Sequence, residues 1–304
     1  MAGPVHRYTP PMNPEQMAEA LDATGDYHVV RRLRPPSRYT LTEPVGDLKL
    51  ALLVDLETTG LDTARDSIIE FGAVPFRFDT NGNVFDVLEP ISYFEDPGRP
   101  IPADVQSLTG ITDDMVRGHR IDEARVLSAV NDAVLIIAHN AVFDRRVVER
   151  RLPSFADKHW ACTRDDVPWR HFGTTSVKLS YLLYEVCRAF HDGHRAVDDC
   201  LATIHILAHP RDAAGRTPMS YLLENARRKT SRVWARKSPF ETKDALKGRG
   251  YRWNDGQKTW YIDRLPSEAE AEAQWLRENV YKGANPPAVE VATFTAKERY
   301  SDRV

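Results

Sequence analysis

The sequence predicts an α/β fold, a mixed sheet flanked by helices, followed by a small C-terminal α+β module. Three observations carry this expectation. Residues 48–56 and 133–138 form nearly continuous apolar runs, as strands buried on both faces require. Segments of helical spacing follow the strand-like segments, which places helices against a sheet. After Pro210 the composition turns basic and aromatic, which marks a second unit.

Taken in order, residues 1–12 read as a loose tail. Asn13-Pro14 offers an N-cap with proline at the first helical position, so a short helix is expected to about Thr24, ended by Gly25. Tyr27 to Val30 have strand character, and Pro35-Pro36 marks a linker. The first buried strand covers 48–56, and a second covers 67–74 after the turn at 60–66. A third spans 83–94, interrupted at Pro90 because proline cannot donate to a ladder. A polar loop follows at 95–103. The apolar run AVLIIA at 133–138 is another strand, with a helix behind it at 140–152 and two more at 177–190 and 195–209. The expected division is an N-terminal helix-strand extension (1–45), a catalytic domain (46–210), a basic aromatic-rich module (211–284) and a tail (285–304).

A chain of 304 residues has room for one catalytic domain and a small module. Its 42% hydrophobic and 28% charged shares are those of an ordinary globular protein. Three widely spaced cysteines, Cys162, Cys187 and Cys200, form neither a disulfide framework nor a zinc signature. No run approaches the roughly 18 apolar residues of a membrane span, and the N-terminus lacks a signal-type core. A cytoplasmic protein with no membrane partner is expected. The net charge of −3 hides a local excess: residues 227–264 hold twelve Lys or Arg against four Asp or Glu. Among them sit Trp234, Phe240, Tyr251, Trp253, Trp260 and Tyr261. Such a segment binds single strands through phosphates and base stacking, or spends its rings on the core of a small domain. A hairpin across Asp255-Gly256 and a helix at 267–281 are expected within it.

The candidate chemistry begins at Asp55 and Glu57. Two apart on a strand, they share one face, where burial and mutual repulsion disfavour both charges. A divalent cation removes that conflict, and oxygen ligands favour magnesium or manganese. Taken alone, the pair is equally compatible with a strand end emerging into solvent. Asp144 falls one turn into the helix capped by Asn140, where an ordinary solvated aspartate would also fit. His194 follows Gly193 at the mouth of a helix, a good place for a proton acceptor. Helical spacing does not choose between Asp198 and Asp199, and His139 and His191 are rival histidines.

The three segments, in this order, resemble the DnaQ-like DEDDh exonucleases, the superfamily of the polymerase III epsilon subunit. D-x-E-T-T-G matches Asp55 to Gly60, H-N-x-x-F-D matches His139, Asn140, Phe143 and Asp144, and H-x-A-x-x-D matches His194, Ala196 and Asp199. Supporting likenesses are Ile68 to Ala73, Leu108 to Thr112 and Lys178 to Ser180, so the resemblance covers about residues 48–208. It implies an RNase H-like fold and 3′–5′ release of nucleoside 5′-monophosphates. It implies two cations, Mg or Mn, roughly 4 Å apart on Asp55, Glu57, Asp144 and Asp199. His194 would be the base, with the backbone and side chains of Thr58 and Thr59, together with Asn140 and Phe143, holding the terminal nucleotide. The expected partner is nucleic acid, foremost single-stranded DNA 3′ ends, in a polymerase or repair complex. An RNA-processing exonuclease and a noncatalytic nucleic-acid-binding subunit are the alternatives.

Overall fold

The computed structural model describes residues 12–209, 211–282 and 288–304. Most of the expected tail at 1–12 lies outside them. Helix α1 (Pro14–Asp22) begins as expected, with Asn13 and Gln16 in a reciprocal capping box. The short strand after it is β1 (Arg31–Arg32), not 27–30. Its position is dictated by its partner. Arg31 N–H donates to Arg188 O at 3.0 Å and Leu33 N–H to Phe190 O at 2.7 Å.

The main sheet starts with β2 (Lys49–Thr58) and β3 (Ile68–Phe78), an antiparallel pair with a register shift between Glu57 and Thr58. The expected third strand is two, β4 (Val84–Val87) and β5 (Ile91–Phe94), both pairing with β3 on either side of Pro90. The sequence pattern predicts no element over 104–132. Three helices lie there: α2 (Ala103–Thr109), α3 (Asp113–Val116) and α4 (Glu123–Asp132). The first two are too short to show periodicity. Strand β6 (Leu135–Ala138) runs parallel to β2, and α5 (Ala141–Arg151) follows it. The unexpected edge strand β7 (Trp160–Cys162) runs parallel to β6 and leads into α6 (Thr163–Asp166).

Helix α7 (Leu179–Cys187) is shorter than expected because Arg188 takes a left-handed φ of 50° and ends it. Strand β8 (Ala189–Phe190) pairs with β1, and α8 (Ala196–Ala208) closes this region. The sheet order is β4-β3-β2-β6-β7, with β5 beside β3. One face packs on α7 and α8 through Ala51, Leu53, Leu183 and Ile204. The other packs on α4 and α5 through Leu52, Val54, Val130 and Val148. A mixed sheet with its antiparallel strands to one side and helices on both faces is the RNase H-like α/β fold.

Beyond 210, α9 (Pro218–Arg227) is a helix that the sequence pattern does not announce. Its Met219, Leu222 and Leu223 pack into the α7–α8 core, so this helix lies with the catalytic layer. The module's sheet combines β9 (Thr230–Ala235), β10 (Arg252–Asn254), β11 (Thr259–Arg264) and β12 (Glu290–Phe294), ordered β10-β11-β9-β12. Helices α10 (Lys243–Arg249) and α11 (Ala269–Asn279) complete it, and Leu246, Ala273 and Leu276 join Val233 and Ile262 in its core. The expected hairpin is present, with Asn254 opposite Thr259. The expectation of a tail fails at β12, which pairs with β9. Its apolar residues are too few to register as periodic, and the strand is specified by its partner. Residues 295–301 then return to β7: Trp160 N–H donates to Ala296 O at 2.9 Å, and the buried Arg145 guanidinium donates to Arg299 O and Lys297 O, each at 2.6 Å. Among the described residues, no helix is long and apolar enough to cross a membrane.

Candidate active site

Strand alternation puts Asp55 and Glu57 on the sheet face covered by α8, the face that also carries Leu53. Asp199, one turn into α8, points back at them. Carboxylate oxygens of Asp55, Glu57 and Asp199 all lie within 4.8 Å of one another. Two residues of β3 make that approach possible. Gly72 is the register partner of Asp55, and a Cβ there would stand 2.6 Å from the backbone carbonyl carbon of Ala196. Glu70, the partner of Glu57, accepts from Ala196 N–H at 3.1 Å and from the Arg195 guanidinium at 2.9 Å. The strand segment Ile68 to Ala73 thus serves to seat the start of α8. A Cβ on Gly60 would lie 2.5 Å from an Asp66 carboxylate oxygen, so a side chain there would have to displace the Asp66 carboxylate.

Asp144 belongs to the opposite layer, because α5 packs on the other face of the sheet. It is buried, and it is not among the three carboxylates clustered within 4.8 Å. Its charge is nevertheless felt. Burial, then Asp144, Asp199 and Glu57, push the Asp55 carboxyl well above its usual range. Burial and the neighbouring carboxylates, Asp199 foremost, raise Glu57 to about 8, and burial raises Asp144 to about 7. Carboxylates that hold protons near neutrality in the absence of a cation are the electrostatic signature of a site built to share positive charge.

The three rival histidines separate cleanly. His139 is half-buried; its Nε2 contacts Val177 O at 2.9 Å and its Nδ1 contacts Thr163 Oγ1 at 2.6 Å. A carbonyl only accepts, so Nε2 carries the proton and Nδ1 accepts from the threonine. Desolvation lowers its pKa to about 4. This histidine ties β6 to the loops beside it. His191 Nε2 lies 2.5 Å from Asp199 Oδ1 and is largely covered. His194 is exposed at a left-handed φ of 69°; its backbone N–H donates to the other Asp199 oxygen at 2.9 Å. Its imidazole has no hydrogen-bond partner among the described residues. The loop carrying both histidines is held by the β1–β8 pairing and by Arg32, which ion-pairs with Asp192 at 2.6 Å and lies over the Phe190 ring. That support is invisible in the sequence, where two arginines after a strand-like run carry no signal.

Not all the expected nucleotide-holding residues are free to act so. The Thr58 hydroxyl donates to Gly60 O at 2.6 Å. The Thr59 hydroxyl donates to Asp66 at 2.9 Å and accepts from Arg99 and from Ser67 N–H. Both threonines are buried, so their side chains shape the turn rather than offer a binding surface. Asn140 occupies the N-cap position of α5, but its side chain makes no cap hydrogen bond and remains available. Phe143 is half-buried against the α5 core.

Residues 52–207 match the family model described as Exonuclease, the RNase T type. The chain is 35% identical over 162 residues to a PolC-type DNA polymerase III of Clostridium perfringens, covering 51% of this chain and 11% of the polymerase. It is 45% identical over 159 residues to the PolC-type enzyme of Listeria welshimeri, covering 50% and 10%. The chain therefore spans about a tenth of the length of these relatives. Among solved structures, it resembles E. coli Exonuclease I in complex with a dA16 oligonucleotide, at 19% identity and a TM-score of 0.48, covering 82% of this chain and 64% of that one. It also resembles Exonuclease X in complex with 5′-overhanging duplex DNA, at 25% identity and a TM-score of 0.39, covering 58% and 90%. The family model covers half of the chain, and its span contains all three motif segments: this protein belongs to the DnaQ-like exonuclease superfamily.

Proposed function

We propose that the chain is a 3′–5′ exonuclease that acts on DNA, foremost on single-stranded 3′ ends, and releases nucleoside 5′-monophosphates. The observation that carries the reading is the cluster of Asp55, Glu57 and Asp199 within 4.8 Å, with Asp144 buried beside it. An all-oxygen donor set whose members repel one another fits two divalent cations, Mg or Mn, better than it fits any arrangement of water alone. Asp55, Glu57, Asp144 and Asp199 would hold them, and bound cations would neutralise the scissile phosphate and ease departure of the 3′ oxygen. The rest falls to the chain. His194, exposed and unengaged, accepts the proton of the attacking water as the phosphodiester bond is broken. Its backbone bond to Asp199 keeps it at the rim of the carboxylate cluster. Asn140 offers a free amide and Phe143 a ring edge to the terminal nucleotide. The DNA preference is supported by the names of the relatives, which are DNA polymerases.

Digestion of matched single-stranded DNA, double-stranded DNA and RNA, labelled at either end, tests this with Mg, Mn or chelator. Release of mononucleotides from the 3′ end of single-stranded DNA, only with metal, is the expected result. Full activity in excess chelator, or release starting at the 5′ end, overturns it.

A further inference from the structure

The module's sheet has one face packed on α10 and α11 and one face left open by them. Register assigns the open face: Thr230, Arg232 and Trp234 of β9, Tyr261 and Asp263 of β11, and Arg252 of β10. Arginines and rings alternate across it. The Arg232 guanidinium lies 4.2 Å from the Tyr261 ring centre and 5.4 Å from that of Trp234; Arg252 lies 5.2 Å from Tyr261 on the other side. This face is partly covered, with Arg232 buried and Arg252 exposed. It forms one wall of a cavity of about 440 Å³ whose other wall is the catalytic layer, including Val142 and Arg146 of α5 and Asp165 of α6. Seven Arg or Lys side chains line the cavity against four Asp or Glu, and six of the seven are ion-paired, Arg146 with Asp302 and Arg228 with Glu224 among them. Lys229 is exposed there with no carboxylate partner among the described residues, and Arg252 remains half exposed although it pairs with Asp263.

The cavity and the carboxylate cluster flank the first turns of α5. Val142 faces the cavity while Asp144, two residues on, faces the carboxylates, so one helix width of about 10 Å separates them. Between them stands the N-terminus of an 11-residue helix, an end whose dipole favours phosphate. Arg164, near enough to Asp144 to lower its pKa, is ion-paired with the cavity-lining Asp165 at 3.2 Å. A cavity of this size accommodates a nucleotide unit.

We propose that this cleft binds the DNA single strand behind its 3′ terminus: phosphates at Lys229 and Arg252, a base against Tyr261. The proposal rests on the exonuclease reading, and it assigns the C-terminal module to substrate retention rather than to chemistry. The test uses the full chain carrying Lys229→Glu with Arg252→Gln, with Lys229→Arg as control. Affinity for a fluorescent oligo-dT of about twelve nucleotides, within the span of one single-strand site, is measured by anisotropy in chelator at several salt concentrations. In parallel, hydrolysis of an aryl ester of thymidine 5′-monophosphate, which fills only the catalytic site, is followed with magnesium. The double variant is expected to bind oligo-dT at least about tenfold more weakly, with a log–log salt slope shallower by about 1.4, since each lost phosphate contact removes about 0.7. Ester hydrolysis and the control's affinity stay at the wild-type level. Wild-type affinity and salt slope in the double variant overturn the cleft, whatever the ester shows. Absence of ester hydrolysis in the wild type counts against the exonuclease reading instead, and the anisotropy still decides the cleft.

Discussion

Replacing His139 with glutamine tests whether the histidine of the second motif is a structural strut. In the native protein His139 is neutral, donating from Nε2 to Val177 O and accepting from Thr163 at Nδ1. Burial lowers its pKa from 6.5 to about 4. The unfolded chain therefore binds a proton between these values that the folded chain refuses. His139's contribution to stability is complete above about pH 6.5 and is lost as pH falls toward 4. Each tenfold difference in proton affinity between the folded and unfolded chain is worth about 1.4 kcal/mol, so the loss is about 2 kcal/mol at pH 5 and about 3 kcal/mol at pH 4. Urea unfolding of both proteins at constant ionic strength in chelator, from about pH 8 to 5, reads this directly. His205, also lowered to about 4, titrates equally in both and cancels. The wild type should lose about 2 kcal/mol more than the variant over that range. Near pH 8 the variant should keep most of its nuclease activity, because glutamine can still donate to Val177 O. Parallel pH profiles would refute the buried neutral imidazole, and an activity loss as deep as that of His194→Ala would refute the structural role.

Three further outcomes are expected. His194→Ala should lower kcat by about 10²- to 10⁴-fold, the range for a lost general base, while calorimetric magnesium binding is unchanged; unaltered turnover would place the base elsewhere. Without a cation, Glu57 near 8, Asp144 near 7 and the raised Asp55 hold protons that the unfolded chain has released, so this site's contribution to stability falls as pH rises from about 5 to 8. The gain in Tm on adding saturating magnesium should therefore be larger near pH 8 than near pH 6, and Asp55→Asn should shrink it while abolishing nucleotide release; an equal gain at both pH values would contradict the shared-proton cluster. Leu33→Pro removes the N–H that donates to Phe190 O, so it should loosen the histidine loop and lower kcat several-fold with little change in KM; a wild-type kcat would show that the N-terminal strand does not position His194.

Legibility differs from place to place for physical reasons. Buried strands such as β2 and β6 announce themselves because both faces need apolar side chains. Helices α2 and α3 and strand β7 do not, since seven, four and three residues are too few to show a period. Strands β1 and β12 owe their existence to a partner's exposed edge, so nothing in their own residues predicts them. The mixed roles of the module's rings are half legible: Tyr251, Trp260 and Trp275 pack with its core, while Trp234 and Tyr261 stack with arginines on the other face.

The sequence by itself determined the spacing of Asp55 and Glu57, hence their common face, and the order of the three motif segments, hence the family. Alternation and helical period are local properties, and they act within a few residues. Which histidine is free, and that Asp144 is buried in the opposite layer, outside the tight carboxylate cluster, only the tertiary structure decided. So did the turning of both threonine hydroxyls inward and the closing of a basic face over α5. Each of these depends on which distant segment a side chain meets, and that is set by packing across the sheet rather than by neighbours in the chain.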